Sequence, residues 1–126
     1  MELKYACVCD YAIMDKMDKL SVLGIFDGIT SLQFPVTHSR MFFVALFQAH
    51  PSEAGNHPVK ITLVDADGEQ IIDPFEQEIF VARNILNCNL LIEMLGTTFP
   101  TEGIYSFDIV LDNRHVGSVP ISLRSS

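Results

Sequence analysis

Apolar and polar positions alternate along much of this chain. Tyr105, Phe107, Ile109 and Leu111 are separated by Ser106, Asp108 and Val110. A period of two puts the first set on one face of an extended strand. Asp112-Asn113-Arg114-His115 then supplies a turn, because Asn113 tolerates the left-handed backbone of a tight hairpin. Val119, Ile121 and Leu123 continue the pattern, opposed by Ser118, Pro120 and Ser122. Pro120 has no N–H to give to a ladder, which predicts an edge strand. Val59, Ile61 and Leu63 alternate with Lys60 and Thr62. Asp65-Ala66-Asp67-Gly68 after them predicts a turn with Gly68 left-handed and a return through residues 69–72. Residues 75–81 and 86–94 read as further strands. In the second of these, alternate asparagines and the following Gly96-Thr97-Thr98 favour a strand over a helix.

Residues 3–14 and 20–29 predict a long hairpin around the polar tip Asp15-Lys16-Met17-Asp18-Lys19. Residues 35–40 read as an extended connector and 51–58 as a surface loop. Between them, residues 41–49 are almost continuously apolar. Met41, Phe43, Ala45 and Phe47 share one face of that strand; Phe42, Val44 and Leu46 share the other. In a two-layer structure only one face meets the core. The Phe42, Val44 and Leu46 face therefore needs a cover, either a loop of this chain or another protein. Seven or eight strands with turn signals between them, and no convincing helix, predict an all-β sandwich in a single domain over residues 1–126.

The segment Glu102-Gly103-Ile104-Tyr105-Ser106-Phe107 resembles the corner that opens the penultimate strand of immunoglobulin-like domains. There a tyrosine hydrogen-bonds back to upstream backbone. The resemblance implies an immunoglobulin-like antiparallel sandwich, without the tryptophan and cysteine of antibody domains. Further motifs run through most of the chain: Cys9-Asp10-Tyr11-Ala12, Lys19-Leu20-Ser21-Val22-Leu23-Gly24 with Phe26-Asp27, Phe34-Pro35 with Thr37-His38, and Asp65-Ala66-Asp67-Gly68. In these the chain is similar to a family of short, uncharacterised bacterial proteins. That likeness implies no functional residue.

Composition narrows the function classes. Eight Lys and Arg against sixteen Asp and Glu give a net charge of −8. Such a field repels phosphate backbones and anionic lipid, so neither nucleic acid nor a membrane is an expected partner. The start lacks the pattern of a secretory leader, and three cysteines make no disulfide framework. Both point to the cytoplasm and to reduced thiols.

Candidate chemistry is thin. Cys7 and Cys9 share one strand face, but a metal centre would want two more closely spaced ligands. His38, His50, His57 and His115 are scattered. Asp15, Asp18, Asp27, Asp65 and Asp67 are calcium candidates if one end of the sandwich gathers them, although turn chemistry alone accounts for Asp65-Ala66-Asp67-Gly68. Nucleophile elbows, phosphate loops and dinucleotide fingerprints are absent. The expectation is a non-enzymatic module without a cofactor. It would bind a protein partner or itself, as a homo-oligomer, through an apolar sheet face or edge. The alternative is a ligand- or calcium-binding sandwich. A small hydrolase or thiol enzyme, with Cys9 as the reactive thiol, comes third.

Overall fold

The alternation at residues 105–111 appears in space as written. Tyr105, Phe107, Ile109 and Leu111 are buried, and the residues between them are half-buried on the other face. A computed structural model describes residues 1–126 and contains nine strands. They are β1 (Glu2–Met14), β2 (Leu20–Phe26), β3 (Gly28–Ser31), β4 (Val36–Gln48), β5 (Gly55–Val64), β6 (Phe75–Val81), β7 (Asn87–Phe99), β8 (Gly103–Leu111) and β9 (Arg114–Ser125). One short 3-10 turn, Pro51–Glu53, is the only helix. The strands form two sheets, ordered β2-β1-β4-β7 and β3-β9-β8-β5-β6.

The protein is thus an all-β sandwich, with nine strands rather than seven or eight. The extra strand arises at Asp27. Residues 20–29 read as one strand, but β2 pairs with β1 in one sheet and β3 pairs with β9 in the other. Asp27 is the crossing point, and its carbonyl accepts from the Ser122 amide at 2.8 Å. The β3–β9 pair is parallel, against the expectation of antiparallel pairing throughout. It also moves β9 off the edge. Pro120 is tolerated because β3 covers only residues 122–125, leaving β9 a single neighbour at Pro120. Residues 36–40 belong to β4 rather than to a connector, and residues 69–72 return only through an isolated bridge, Val64 to Gln70.

The core lies between the sheets. β4 sends Met41, Phe43, Ala45 and Phe47 inward, and Phe43 meets Phe107 of β8 with ring centroids 5.3 Å apart. At one end the Tyr105 hydroxyl donates to the Thr101 carbonyl at 2.7 Å and accepts from the Thr101 amide at 3.2 Å. The corner resemblance is therefore realised as bonds. They pin the loop before β8 to its buried first turn. Both hairpin turns behave as read: Asp112 and Asn113 have positive φ, as does Gly68.

Removing the Tyr105 hydroxyl leaves the Thr101 amide and carbonyl short of a partner in a partly buried site. Tyr105→Phe should cost about 1–3 kcal/mol. Urea denaturation followed by circular dichroism checks it, with an unchanged m-value expected.

Candidate functional site

β4 is apolar on both sides, and the chain covers its second face itself. Opposite Phe42 lies Cys9 of β1, and opposite Leu46 lies Tyr5. The β1–β2 hairpin thus starts out away from Tyr5. Its tip, however, comes back. The Asn89 side-chain amide donates to the Asp18 carbonyl at 3.0 Å, and Asn89 stands opposite Leu46 on β7. The hairpin must therefore fold back over the sheet. Ala12, Leu20 and Val22 of the returning arm pack on Cys7, Cys9, Phe42, Val44 and Leu91. The bend falls at Asp10 and Gly24. Gly24 has φ +69°, and a Cβ there would lie 2.5 Å from the Asp10 carboxylate. Beside the bend, the Arg40 guanidinium sits over the rings of Tyr11 and Phe42 and binds Glu93 at 2.6 Å. Phe42 and Val44 are therefore buried and Leu46 half-buried. The surface expected of these three is occupied by their own hairpin.

The largest concavity lies next to it. A groove of roughly 850 Å³ runs along the free edge of β7. Met17, Lys19 and Leu20 of the hairpin tip stand on one side of it, Gln77, Ile79 and Phe80 of β6 on the other, and Cys88 and Leu90 of β7 at its base. Twelve of its eighteen lining residues are apolar. Met17, Phe80, Ile85 and Tyr5 all line it while largely exposed. Sequence reading missed this site. Its one signal was Gln77, a polar residue at a core-facing parity between Phe75 and Ile79.

The five aspartates do not gather into a site. The Asp15 carboxylate accepts from the Met17 and Lys19 amides, and the Asp65 carboxylate from the Asp67 and Glu69 amides. Both therefore shape their own turns. Asp18 offers its carbonyl to Asn89, and the Asp27 carbonyl holds β9. No three His, Cys, Asp or Glu side chains lie close enough to share a metal.

Two constellations invite a catalytic reading, and the first fails it on geometry. Ser118 Oγ lies 3.0 Å from His115 Nε2 and donates to Asp108 Oδ1 at 2.8 Å. In a working triad the carboxylate holds the imidazole nitrogen that faces away from the serine. Here Asp108 approaches the same Nε2, at 3.9 Å, and so competes with the hydroxyl. The three thiols are free and buried. Cys9 is fully buried, and burial followed by the adjacent Cys7 pushes it up to about 11. Burial also raises Cys88. A nucleophilic cysteine needs the opposite shift.

Residues 4–124 match the family of unknown function DUF6941. The chain belongs to that family. No curated protein matches it.

One titratable cluster of this DUF6941 domain does have a defined geometry. His57 Nδ1 lies 2.7 Å from Asp112 Oδ2 and Nε2 lies 2.6 Å from the Glu53 carbonyl. An ionised carboxylate and a carbonyl both accept, so the ring satisfies them together only as the imidazolium. The hydrogen bond to Glu53 first, then that to Asp112, raises its pKa. Glu53 in turn carries the Met1 amino group and accepts from the His50 amide, and both hold its carboxyl low. The cluster ties β5 to the 3-10 turn and to the β8–β9 hairpin.

A raised folded-state pKa contributes stability that is complete below the unfolded value near 6.5 and disappears as pH rises through the folded value. The melting temperature of the wild type should therefore fall between pH 6 and 8.5 relative to His57→Gln, whose profile should be flatter. Calorimetry across that range decides it. A mild disulfide reagent at neutral pH should leave Cys7, Cys9 and Cys88 unmodified in the folded protein and label all three in denaturant. Rapid labelling of the folded chain would contradict their burial.

Proposed function

We propose that this domain is a non-enzymatic protein-interaction module that works through the β7 side of its sandwich. The observation that carries the reading is the mainly apolar groove along an unpaired strand edge, with Met17, Phe80 and Ile85 exposed on its rim. Exposed apolar surface around a concavity is the mark of a contact site. The candidate nucleophiles lack activation, and no cluster of ligands gathers, which supports contact over chemistry. The net charge of −8 supports a protein partner or a second copy over nucleic acid or anionic lipid.

An immunoglobulin-like order fits the same reading. β1-β4-β7 in one sheet and β9-β8-β5 in the other follow the strand sequence of such domains, and the Tyr105 corner sits where theirs does. Three free thiols support a reducing compartment such as the cytoplasm. No helix is long and apolar enough to cross a membrane. No observation favours the calcium alternative.

A photo-crosslinking residue at position 80, introduced in the cells the protein comes from, tests the proposal. Discrete protein adducts are expected there and not at position 104, which is comparably exposed on β8, two strands away from β6 in the same sheet. Equal labelling at both positions, or none at position 80, would reject the groove as a contact site.

A further inference from the structure

We infer that the free edge of β7 receives one extended, mainly apolar strand from another protein. The inference rests on the interaction reading above and names the partner's form.

A missing strand is implied by the strand count. β1 lies over β9, where Leu3 reaches Gly117, and β4 lies over β8, where Phe43 meets Phe107. Counting outward puts β7 opposite β5, so β6 overhangs the edge of β7, with only Ile79 and Val81 of its inward face buried. Gln77 reports the vacancy. It pairs with the buried Val59 and so shares the inward face of β6, yet it is exposed. In the immunoglobulin-type order a further strand follows at this place in the sheet. Here residues 82–86 connect β6 directly to β7 and supply none.

The vacancy has three walls. The unpaired backbone of β7 forms the inner wall. Gln77 and Ile79 of β6 form the floor, and Met17 and Leu20 of the hairpin tip form the roof. A strand laid there would meet apolar groups on both of its faces. Its backbone would take up the N–H and C=O groups that β7 leaves free, as in strand addition. From Asn87 to Leu91 the wall is about 17 Å long, room for roughly five residues.

The other three edges are guarded. β6 carries Glu76 and Glu78, β3 is four residues long, and β2 is bent at Gly24. β7 carries no charge or proline from Asn87 to Leu91, and its Glu93 is matched by Arg40. A second folded copy does not fit the slot. Edge-to-edge pairing about a two-fold axis would bring both projecting β6 strands into the same layer. A single strand, not a folded edge, is therefore the occupant.

A random dodecapeptide library displayed on phage supplies the probe, with the whole chain as bait. Enriched peptides should be apolar and free of proline over five or more consecutive residues. Their affinity should fall at least tenfold on Gln77→Arg and on Met17→Lys, both exposed positions that leave the core intact. It should stay within twofold on Leu23→Lys, on the bent arm. Amide exchange over residues 87–91 should slow at least tenfold when peptide is bound. Failure to enrich any peptide, or binding that ignores Gln77→Arg and Met17→Lys, overturns the slot. Sensitivity to Leu23→Lys alone would do so as well, and would move the contact to the arm. A dimer in light scattering that Gln77→Arg abolishes would replace the donated strand with a second copy. The position-80 crosslink reads the interaction reading independently of all four.

Discussion

A sheet that is apolar on both faces must be covered on both, and the rest of this molecule is arranged around that requirement. β4 sets the problem. Met41, Phe43, Ala45 and Phe47 enter the sandwich core, while Phe42 and Val44 point to the opposite side and are buried as well. Leaving two such side chains in water would forgo about 2 kcal/mol each. The second sheet covers one face. The β1–β2 hairpin, folded back on its own sheet, covers the other. Such a fold needs a sharp reversal in two paired strands, and Gly24 at φ +69° opposite Asp10 provides it. Arg40 closes the margin, stacked on Tyr11 and Phe42 and neutralised by Glu93.

That solution also disposes of the chemistry the sequence offered. Cys7 and Cys9 lie under the folded arm, so the burial that protects Phe42 also keeps the Cys9 thiol protonated. The tip of the hairpin spends Asp15 on its own turn and the Asp18 carbonyl on Asn89. Side chains that looked available in one dimension are structural in three.

Local rules carried the sequence reading far, and long-range pairing limited it. Alternation at residues 105–111, the left-handed Asp112-Asn113 turn and the Tyr105 corner were legible because each depends on a few neighbouring residues. The crossing at Asp27 was not legible, because residues 20–29 read as one apolar-rich run while their partners lie in different sheets. Pro120 misled for the same reason: a proline reports the neighbour at its own position, and β3 begins two residues later. The cover over Phe42, Val44 and Leu46 was foreseen as a need, but its identity depends on a contact between Asp18 and Asn89, seventy-one positions apart. The groove was hidden because it is a mismatch between two strand counts, which no local window contains. Gln77 alone hinted at it.

Unpaired edges explain why the mismatch is tolerated. An open edge invites other chains, and proteins blunt such edges with charge, brevity or a bend. This domain applies one device to each of three edges: Glu76 and Glu78 on β6, four residues of β3, and the reversal in β2. β7 has thirteen residues and none of these along its first five. Its protection is steric. The projecting β6 below and the hairpin tip above keep folded sheets away from its backbone, yet leave the groove of roughly 850 Å³ between them. An edge guarded in this way excludes sheet-on-sheet aggregation without excluding a single extended segment. Charge would have excluded both.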